Sequence, residues 1–399
     1  MERTAYIAFM FLGAAATVNG VALPFLIDRF SLPLSTAGAL FMIHSLGYLL
    51  SSTFFPSIAR LTGTRLLILA GSTATAAALV GLPLMPCWWA VLAAALVSGA
   101  AYSAIDVGLN AVISSLPGER GTAALNWLHF SFGLGALAGP SLLAQVMALS
   151  NSWQWAYWAC ALPFLPLSGA LAKNPLLKLE SAASDSPDAS EERRSSIYGE
   201  SVFWLLMILM AVYCGVENSL MGWIPTYLSA ELGQSVGAAS LGVSLLWAGL
   251  ALGRGMAGRF SRSLSPRTTV LALFPATAVV LLAAAGLDSA HIVLAGFFLA
   301  GLGLSAIFPM LMLTGTRMYP HARVQVSGGL VTAAGIGSLV FPWILGYVGE
   351  YASLRLGILL LAALSFAAGI LVTRLPKASA AEAKVPPGKR EASQAANRN

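Results

Sequence analysis

The fold of this chain is decided by the stretch Gly99-Ala-Ala-Tyr-Ser-Ala-Ile-Asp-Val-Gly-Leu-Asn110 and its continuation through the turn Pro117-Gly-Glu-Arg-Gly121 to Pro140. The stretch reads as two apolar helices joined by a short charged turn. A second copy lies 202 residues downstream without a gap. Among the residues that recur in it, Gly99, Ser103, Ala104, Ile105, Gly133, Gly135 and Pro140 return as Gly301, Ser305, Ala306, Ile307, Gly335, Gly337 and Pro342. A single offset over 42 positions indicates an internal duplication.

Four polar side chains of the first copy have no counterpart in the second. Asp106, Asn110, Asn126 and His129 are replaced by Phe308, Met312, Gly328 and Val331. The repeated glycines, Ser103 and Pro140 are therefore predicted to form a packing scaffold that both halves need. The unrepeated polar residues predict that the coupling chemistry lies in the first half.

The composition indicates a polytopic membrane protein. The chain has 399 residues, of which 57% are hydrophobic and 10% charged, with a mean hydropathy of +0.78. Soluble proteins carry roughly 25% charged residues, so lipid is the expected surrounding of most of this surface. The net charge is +6, but no basic, aromatic-rich module accompanies it, and no nucleic-acid partner is expected. Because three cysteines give neither a disulfide framework nor a metal-ligand spacing, no metal and no cofactor are predicted.

Twelve apolar segments each approach the roughly 20 residues that cross a bilayer as a helix. Backbone polar groups cannot stay unpaired in lipid, so runs of this length must be helical. The predicted spans are residues 4–27, 36–59, 66–86, 89–115, 122–148, 153–172, 201–228, 237–258, 268–287, 290–314, 323–348 and 353–374. The first run is too long for the core of a cleaved signal peptide and is predicted as a span. The predicted fold class is all-α, with twelve transmembrane helices in two six-helix bundles.

One long polar stretch interrupts the apolar segments. Residues 173–199 are rich in Ser, Ala, Asp and Glu, a composition typical of a flexible linker. The predicted organisation is a first bundle over residues 1–172, the linker, a second bundle over 200–375, and a disordered tail over 376–399.

The basic residues predict the orientation in the membrane. If the N-terminus is cytoplasmic, all of the 22 Lys and Arg residues except Arg29, Arg254 and Arg355 lie on the cytoplasmic side or in the tail. This asymmetry predicts that both termini are cytoplasmic.

Two duplicated six-helix halves with a cytoplasmic linker resemble the major facilitator superfamily of transporters. The loops Ala59-Arg-Leu-Thr-Gly-Thr-Arg65 and Gly258-Arg-Phe-Ser-Arg262 are similar to the superfamily's basic loop between the second and third helices of each half. The resemblance implies gating or structural roles for Arg60, Arg65 and Arg259, a monomeric protein, and a bacterial-type inner membrane. The acidic residue that usually precedes the first arginine is replaced by Ala59, so the loop's usual salt bridge is not expected.

Three helices resemble the fucose permease-like sugar:proton symporters more closely. Asp106-Val-Gly-Leu-Asn110 is similar to that group's acid-x-x-x-Asn signature in the fourth helix. Leu125-Asn-Trp-Leu-His129 is similar to its fifth helix, and Tyr213-Cys-Gly-Val-Glu217 to its seventh. The resemblance implies proton-coupled sugar transport by alternating access. The group's acidic coupling residue in the first helix is replaced here by Asn19-Gly20.

Asp106 is the predicted proton-coupling residue, because an acid within the membrane is energetically costly and is functional by default. At ~1.5 Å per residue, Asp106 and His129 lie roughly 14 and 10 Å from the cytoplasmic ends of their helices. Because a tight turn joins their two helices, the helices are expected to be close neighbours and the two side chains to meet, with His129 modulating the coupling. Asn110 and Asn126 are expected to meet one turn nearer the cytoplasm and to bind hydroxyls of the solute. The alternative is a structural cluster that pins the two helices together.

Glu217 is the main polar residue predicted from the second half. It lies roughly 25 Å from the cytoplasmic end of its helix and is expected to take part in proton coupling or to contact the solute, with Asn218 and Trp223 beside it. A carboxylate satisfied near the outer interface is the alternative. Asn19 is the matching candidate of the first half, and Trp127 offers a flat face to a sugar ring.

The predicted function is secondary active transport of a small polar solute, with a sugar as the leading candidate, coupled to protons. Proton-driven export of amphipathic compounds is the alternative, indicated by Gly135-x-x-x-Gly139-Pro140, which resembles an antiporter signature. A non-transporting receptor and an intramembrane enzyme are minority alternatives, and no enzyme activity is expected, since HExxH and GxSxG motifs are absent from the sequence. Arg254 is either the partner of an acid or anion within the membrane or a side chain that reaches the inner interface.

Overall fold

The computed structural model describes residues 2–117, 119–175, 177, 197–260 and 265–376, with the backbone alone for residues 119 and 257–260. The helices in this part of the chain are α1 (Glu2–Phe30), α2 (Leu34–Ala37), α3 (Ala39–Thr62), α4 (Thr64–Gly81), α5 (Trp88–Ser114), α6 (Glu119–Ser150), α7 (Gln154–Ala161), α8 (Phe164–Ala172), α9 (Ser201–Ala230), α10 (Val236–Phe260), α11 (Pro266–Ala285), α12 (Ala290–Leu304), α13 (Ile307–Met318), α14 (Arg323–Tyr351) and α15 (Leu354–Val372). They supply twelve segments that are long and apolar enough to cross a membrane. The all-α class and the number of spans are confirmed.

Three of the predicted spans are broken into shorter helices. The second consists of α2 and α3, the sixth of α7 and α8, and the tenth of α12 and α13. Pro163 lies at the break in the sixth span, where its missing N–H cannot continue the hydrogen-bond ladder of α7. Pro309 lies in the first turn of α13, a position that does not need the N–H. Most of the predicted linker and nearly all of the predicted tail fall outside the described residues, so the domain boundaries stay a prediction.

The two halves repeat the same packing. In the first half α1 packs against α6 and α3 against α5, and in the second half α9 packs against α14 and α10 against α12. A Cβ atom at Gly99 would lie 1.9 Å from the carbonyl oxygen of His44, and one at Gly301 would lie 2.1 Å from that of Leu246. His44 and Leu246 are themselves 202 residues apart. The predicted scaffold role of these glycines is confirmed, because each lets two helices approach where no side chain fits.

A pair of arginines extends the duplication to the ends of the halves. Arg65, at the start of α4, donates a 2.6 Å hydrogen bond to the carbonyl oxygen of Ala172 at the end of α8. Arg267, which is 202 residues later, donates to the carbonyl oxygens of Thr373 and Leu375 beyond α15, each at 2.8 Å. In both halves an arginine therefore ties the third span to the end of the sixth, which supports the structural role predicted for Arg65.

We call the membrane side on which residue 2 lies the terminal side, and the opposite side the far side. Contacts between the two halves lie at mid-depth and towards the far side. The hydroxyls of Ser141 in α6 and Ser244 in α10 share a 2.8 Å hydrogen bond. The backbone N–H of Leu34 donates a 2.6 Å hydrogen bond to Glu350 near the end of α14. These residues belong to far-side portions of their helices, so the two halves are joined there.

One expected packing relationship is wrong. The short turn between α5 and α6 predicted that the two helices are close neighbours. The structure instead packs α6 mainly against α1 and against α10 of the other half, and α5 against α3 and α4. A short turn constrains only the ends of two helices, whereas the small residues along α6 admit α1: a Cβ atom at Gly135 would lie 1.7 Å from the carbonyl oxygen of Met10.

Candidate solute-binding site

A cavity of about 620 Å³, which we call the central cavity, lies between the two halves. Its volume is within the roughly 300–1,000 Å³ of ordinary small-molecule sites. Five of the residues predicted for the site line it: Asn19, Asp106, Asn110, His129 and Asn218. The sequence therefore located much of this cavity without showing how its residues contact one another.

Asp106 is held by two hydrogen-bond donors. The hydroxyl of Tyr48 in α3 donates to Oδ2 at 2.7 Å, and Nδ2 of Asn110, one turn along α5, donates to Oδ1 at 2.9 Å. The two contacts fix the orientation of the carboxylate between α3 and α5. Tyr48 was not among the residues predicted for the site. The sequence shows it only as a polar side chain in an apolar span, and it does not show that α3 packs against α5.

His129 and Asp106 lie in the wall of the same cavity, as predicted, but the hydrogen bonds described for the carboxylate come from Tyr48 and Asn110. The expected meeting of Asn110 with Asn126 is wrong. Both hydrogen bonds of the Asn110 amide go to Asp106, and Asn126 lines a different cavity. The separation follows from the loose packing of α5 against α6.

The duplication gives the central cavity two chemically different walls. Five positions of the first half that line it have their duplicates in the wall of the same cavity: Ala16 and Asn218, Asn19 and Met221, Asp106 and Phe308, Asn110 and Met312, and His129 and Val331. In four of the five pairs the first half supplies the polar residue and the second half an apolar one. The wall from the first half is therefore rich in hydrogen-bonding groups, and the wall from the second half is mainly apolar, with Asn218 and Ser338 as its polar residues.

Asn19 and Asn218 connect the central cavity to the helices around it. The buried Oδ1 of Asn19 accepts a 3.1 Å hydrogen bond from the hydroxyl of Tyr157 in α7. Nδ2 of Asn218 donates at 2.9 Å to the hydroxyl of Ser338 in α14. Each side chain keeps part of its hydrogen-bonding capacity, so both can contact a solute while remaining fixed in orientation.

Glu217 is not in the wall of the central cavity. Its Oε1 lies 3.8 Å from the Arg254 guanidinium, which also lies over the Trp247 ring at 5.8 Å from the centroid. Of the two interpretations of Arg254, the structure supports the partner of an acid within the membrane. The hydroxyl of Tyr213 is buried beside this pair and lies within electrostatic reach of both charges.

The two predicted tryptophans lie elsewhere. Trp223 is 1% exposed and its Nε1 donates a 2.8 Å hydrogen bond to the carbonyl oxygen of Pro342, so it packs the far-side interface instead of facing the central cavity. Trp127 is 58% exposed. It lines a second cavity of about 500 Å³ between α6 and α10, the side cavity, whose wall also contains Asn126, His129, Leu134, Trp247 and Arg254. The predicted sugar contact of Trp223 is therefore not supported by its position.

The predicted gating arginines are placed on the terminal side. Arg60 is exposed at the end of α3, and Arg65 forms the bond to α8 described above. The side chain of Arg259 lies outside the described residues. In the part of the chain that the structure describes, no group of three or more His, Cys, Asp or Glu side chains is arranged to hold a metal ion.

The chain resembles known transporters over most of its length. It is 23% identical over 357 residues to the glucose/mannose transporter GlcP of Bacillus subtilis, covering 86% of each chain. It is 24% identical over 407 residues to the human sodium-dependent glucose transporter 1, covering 93% of this chain and 78% of the human one. These relatives are transporters and not enzymes.

Solved structures show the same fold. A bacterial homolog to the human lysosomal transporter Spinster, in an inward-facing and occupied conformation, superposes with a TM-score of 0.77 over 93% of this chain and 95% of its own, at 14% identity. A D-xylose-proton symporter gives 0.76 over 94% of this chain and 97% of its own, also at 14% identity. The model of the Major Facilitator Superfamily matches residues 5–329 and 231–398. With this match over most of its length, the chain belongs to the Major Facilitator Superfamily.

Proposed function

We propose that this transporter moves a monosaccharide by alternating access and couples its movement to protons through Asp106. The observation that carries the proposal is the two-sided central cavity, with Asp106, Asn110 and His129 on one wall and Phe308 and Met312 on the other. A pyranose has hydroxyl groups around its edge and apolar C–H faces. Polar groups fix the orientation of such a ligand, while an aromatic ring covers its apolar face.

The names of the relatives support the solute class. The Bacillus subtilis protein is described as a transporter of glucose and mannose and the human protein as a glucose transporter. The described cavity wall contains no Lys or Arg side chain, so it favours a neutral sugar over a sugar phosphate.

The contacts of Asp106 favour a proton over a sodium ion as the coupling ion. Tyr48 and Asn110 both present donors to the carboxylate. A bound sodium ion requires oxygen ligands, such as the carbonyls found in transporter sites. Here the positions next to the carboxylate are occupied by N–H and O–H groups, whereas a proton needs only one free lone pair.

The arrangement of the halves supports alternating access. They are joined on the far side by Ser141 with Ser244 and by Leu34 with Glu350. We assign the terminal side to the cytoplasm of a bacterial-type inner membrane, following the distribution of basic residues. Two arginines lie on the opposite side, and both have hydrogen-bond partners there. Arg29 donates to the carbonyl oxygens of Pro83 and Met85, and Arg355 pairs with Asp288. A monomer contains the whole central cavity.

Uptake into proteoliposomes tests the proposal. Purified full-length protein is reconstituted, and uptake of labelled glucose, mannose and xylose is measured with an imposed proton gradient, an imposed sodium gradient, or neither. We expect accumulation of at least one sugar above equilibrium with the proton gradient alone. Equilibration without accumulation would remove the proton coupling, and absence of any sugar flux, in protein that exchanges another solute, would remove the sugar assignment.

A further inference from the structure

The side cavity joins the two halves within the membrane. It lies between α6 of the first half and α10 of the second, and both helices are membrane-spanning over the residues involved. His129 belongs to its wall and to that of the central cavity. Phe130 and Leu134 are 51% and 42% exposed at its edge. Both residues lie well inside their span, where an exposed apolar edge is suited to contact with acyl chains.

The polarity of the side cavity changes with depth. Asn126 lies seven residues and Arg254 six residues from the terminal-side ends of α6 and α10, roughly 10 and 9 Å at ~1.5 Å per residue. Leu134 and Leu137 lie deeper along α6, the latter roughly 16 Å beyond Asn126. The cavity is therefore polar at its terminal-side end and apolar at its deeper end, over a length of about half of the ~30 Å hydrocarbon core, the depth of one leaflet.

The charge at the polar end is positive. The Arg254 side chain is 40% exposed, and its pairing with Glu217 is loose, at 3.8 Å. Glu217 is only 13% exposed and does not line the side cavity. No Asp or Glu is found among the described lining residues, so no carboxylate of this wall would pair with an ammonium group. Asn126 and His129 add hydrogen-bonding groups beside the cation.

We propose that the side cavity binds an anionic phospholipid from the surrounding leaflet, with its phosphate at Arg254 and one acyl chain along Phe130 and Leu134. Depth, shape and charge all match such a molecule, and an arginine is well suited to a phosphate. Because α6 and α10 belong to different halves, the lipid contacts both, and its affinity depends on their separation. Lipid composition is therefore expected to influence the balance between transporter conformations.

Native mass spectrometry of the full-length protein tests the proposal. Delipidated protein is incubated with equal amounts of phosphatidylglycerol and phosphatidylcholine that carry the same acyl chains. We expect about fivefold preferential retention of phosphatidylglycerol, corresponding to the ~1 kcal/mol that one basic residue contributes near lipid phosphate. Arg254→Gln should bring the ratio close to one, while Arg3→Gln, at an exposed arginine on the same side, should leave it unchanged.

A second pair of variants tests the apolar part and does not depend on the charge pair. Leu134→Trp, which fills the cavity, should reduce retention of both lipids, whereas Leu149→Trp, at an exposed leucine near the other end of α6, should not. Three results would overturn the proposal. These are equal retention of both lipids by the wild type, a preference that survives Arg254→Gln, and displacement of the lipid by inorganic phosphate, which would indicate a site for free anions only.

Discussion

Asp106 and Phe308 occupy duplicated positions 202 residues apart and line the same central cavity. The duplicated position thus carries a hydrogen-bonding residue in one half and an aromatic residue in the other. The duplication provides the scaffold for two equivalent walls, and divergence at a few positions provides the two chemistries that a sugar requires. The role of Phe308 can be tested without touching Asp106.

Phe308→Ala should weaken sugar binding more than it weakens the transport cycle. Loss of an aromatic surface against the apolar face of the ring is expected to raise KM about tenfold, equivalent to ~1.4 kcal/mol. Phe308→Tyr should retain most of the affinity, and Phe366→Ala, at an exposed position of α15, serves as the control. An unchanged KM in the alanine variant would exclude stacking on this residue.

Asp106→Asn should abolish sugar accumulation driven by a proton gradient and leave counterflow exchange intact. The amide cannot release and rebind a proton, but it still accepts a hydrogen bond from Tyr48. The measurement compares gradient-driven uptake with exchange of labelled for unlabelled sugar in the same proteoliposomes. Asp28→Asn, at an exposed position near the end of α1, is the matched control. If both activities survive the Asp106 change, the coupling residue lies elsewhere.

The features predicted from the sequence are those that depend on local or periodic information. Span lengths follow from bilayer thickness, and the scaffold role of Gly99 and Gly301 follows from the repeat. The hydrogen bond between Tyr48 and Asp106 could not be predicted, because it requires knowing that α3 packs against α5. The position of Trp223 could not be predicted either, because it depends on the packing of α9 against α14. The carbonyl oxygen that accepts its hydrogen bond belongs to Pro342, 119 residues along the chain.

Neutralising one member of the Glu217–Arg254 pair should cost more stability than neutralising both. Each single change, Glu217→Gln or Arg254→Gln, leaves one charge unpaired within the membrane. The expected loss is about 2 kcal/mol, below the ~3–5 kcal/mol of a fully buried pair, because the Arg254 side chain is 40% exposed. The double variant should recover part of that loss. Thermal unfolding in detergent measures all four proteins, and strictly additive losses would argue against an interaction between the two side chains.

The duplicated glycines should respond alike to a methyl group. Gly99→Ala and Gly301→Ala each place a Cβ atom within about 2 Å of a carbonyl oxygen of the neighbouring helix, and overpacking of this kind costs about 1–3 kcal/mol. Gly328→Ala in α14 and Gly169→Ala in α8 add the same methyl group where no atom lies within 4 Å, and they should be close to neutral. Thermal unfolding again provides the measurement. A tolerant Gly301 beside a sensitive Gly99 would show that the second half has relaxed its packing.

The hydrogen bond between Ser141 and Ser244 offers a direct test of alternating access. Its two oxygens are 2.8 Å apart on helices of different halves, so the variant Ser141→Cys/Ser244→Cys should form a disulfide when the far side is closed. The bond prevents the halves from separating on that side, and sugar uptake should cease until a reductant is added. The experiment uses a Cys87→Ser background, because that native cysteine is exposed, whereas Cys160 and Cys214 are buried. Each single cysteine variant controls for the substitutions themselves. Full activity in completely cross-linked protein would mean that transport does not require the far-side interface to open at these residues.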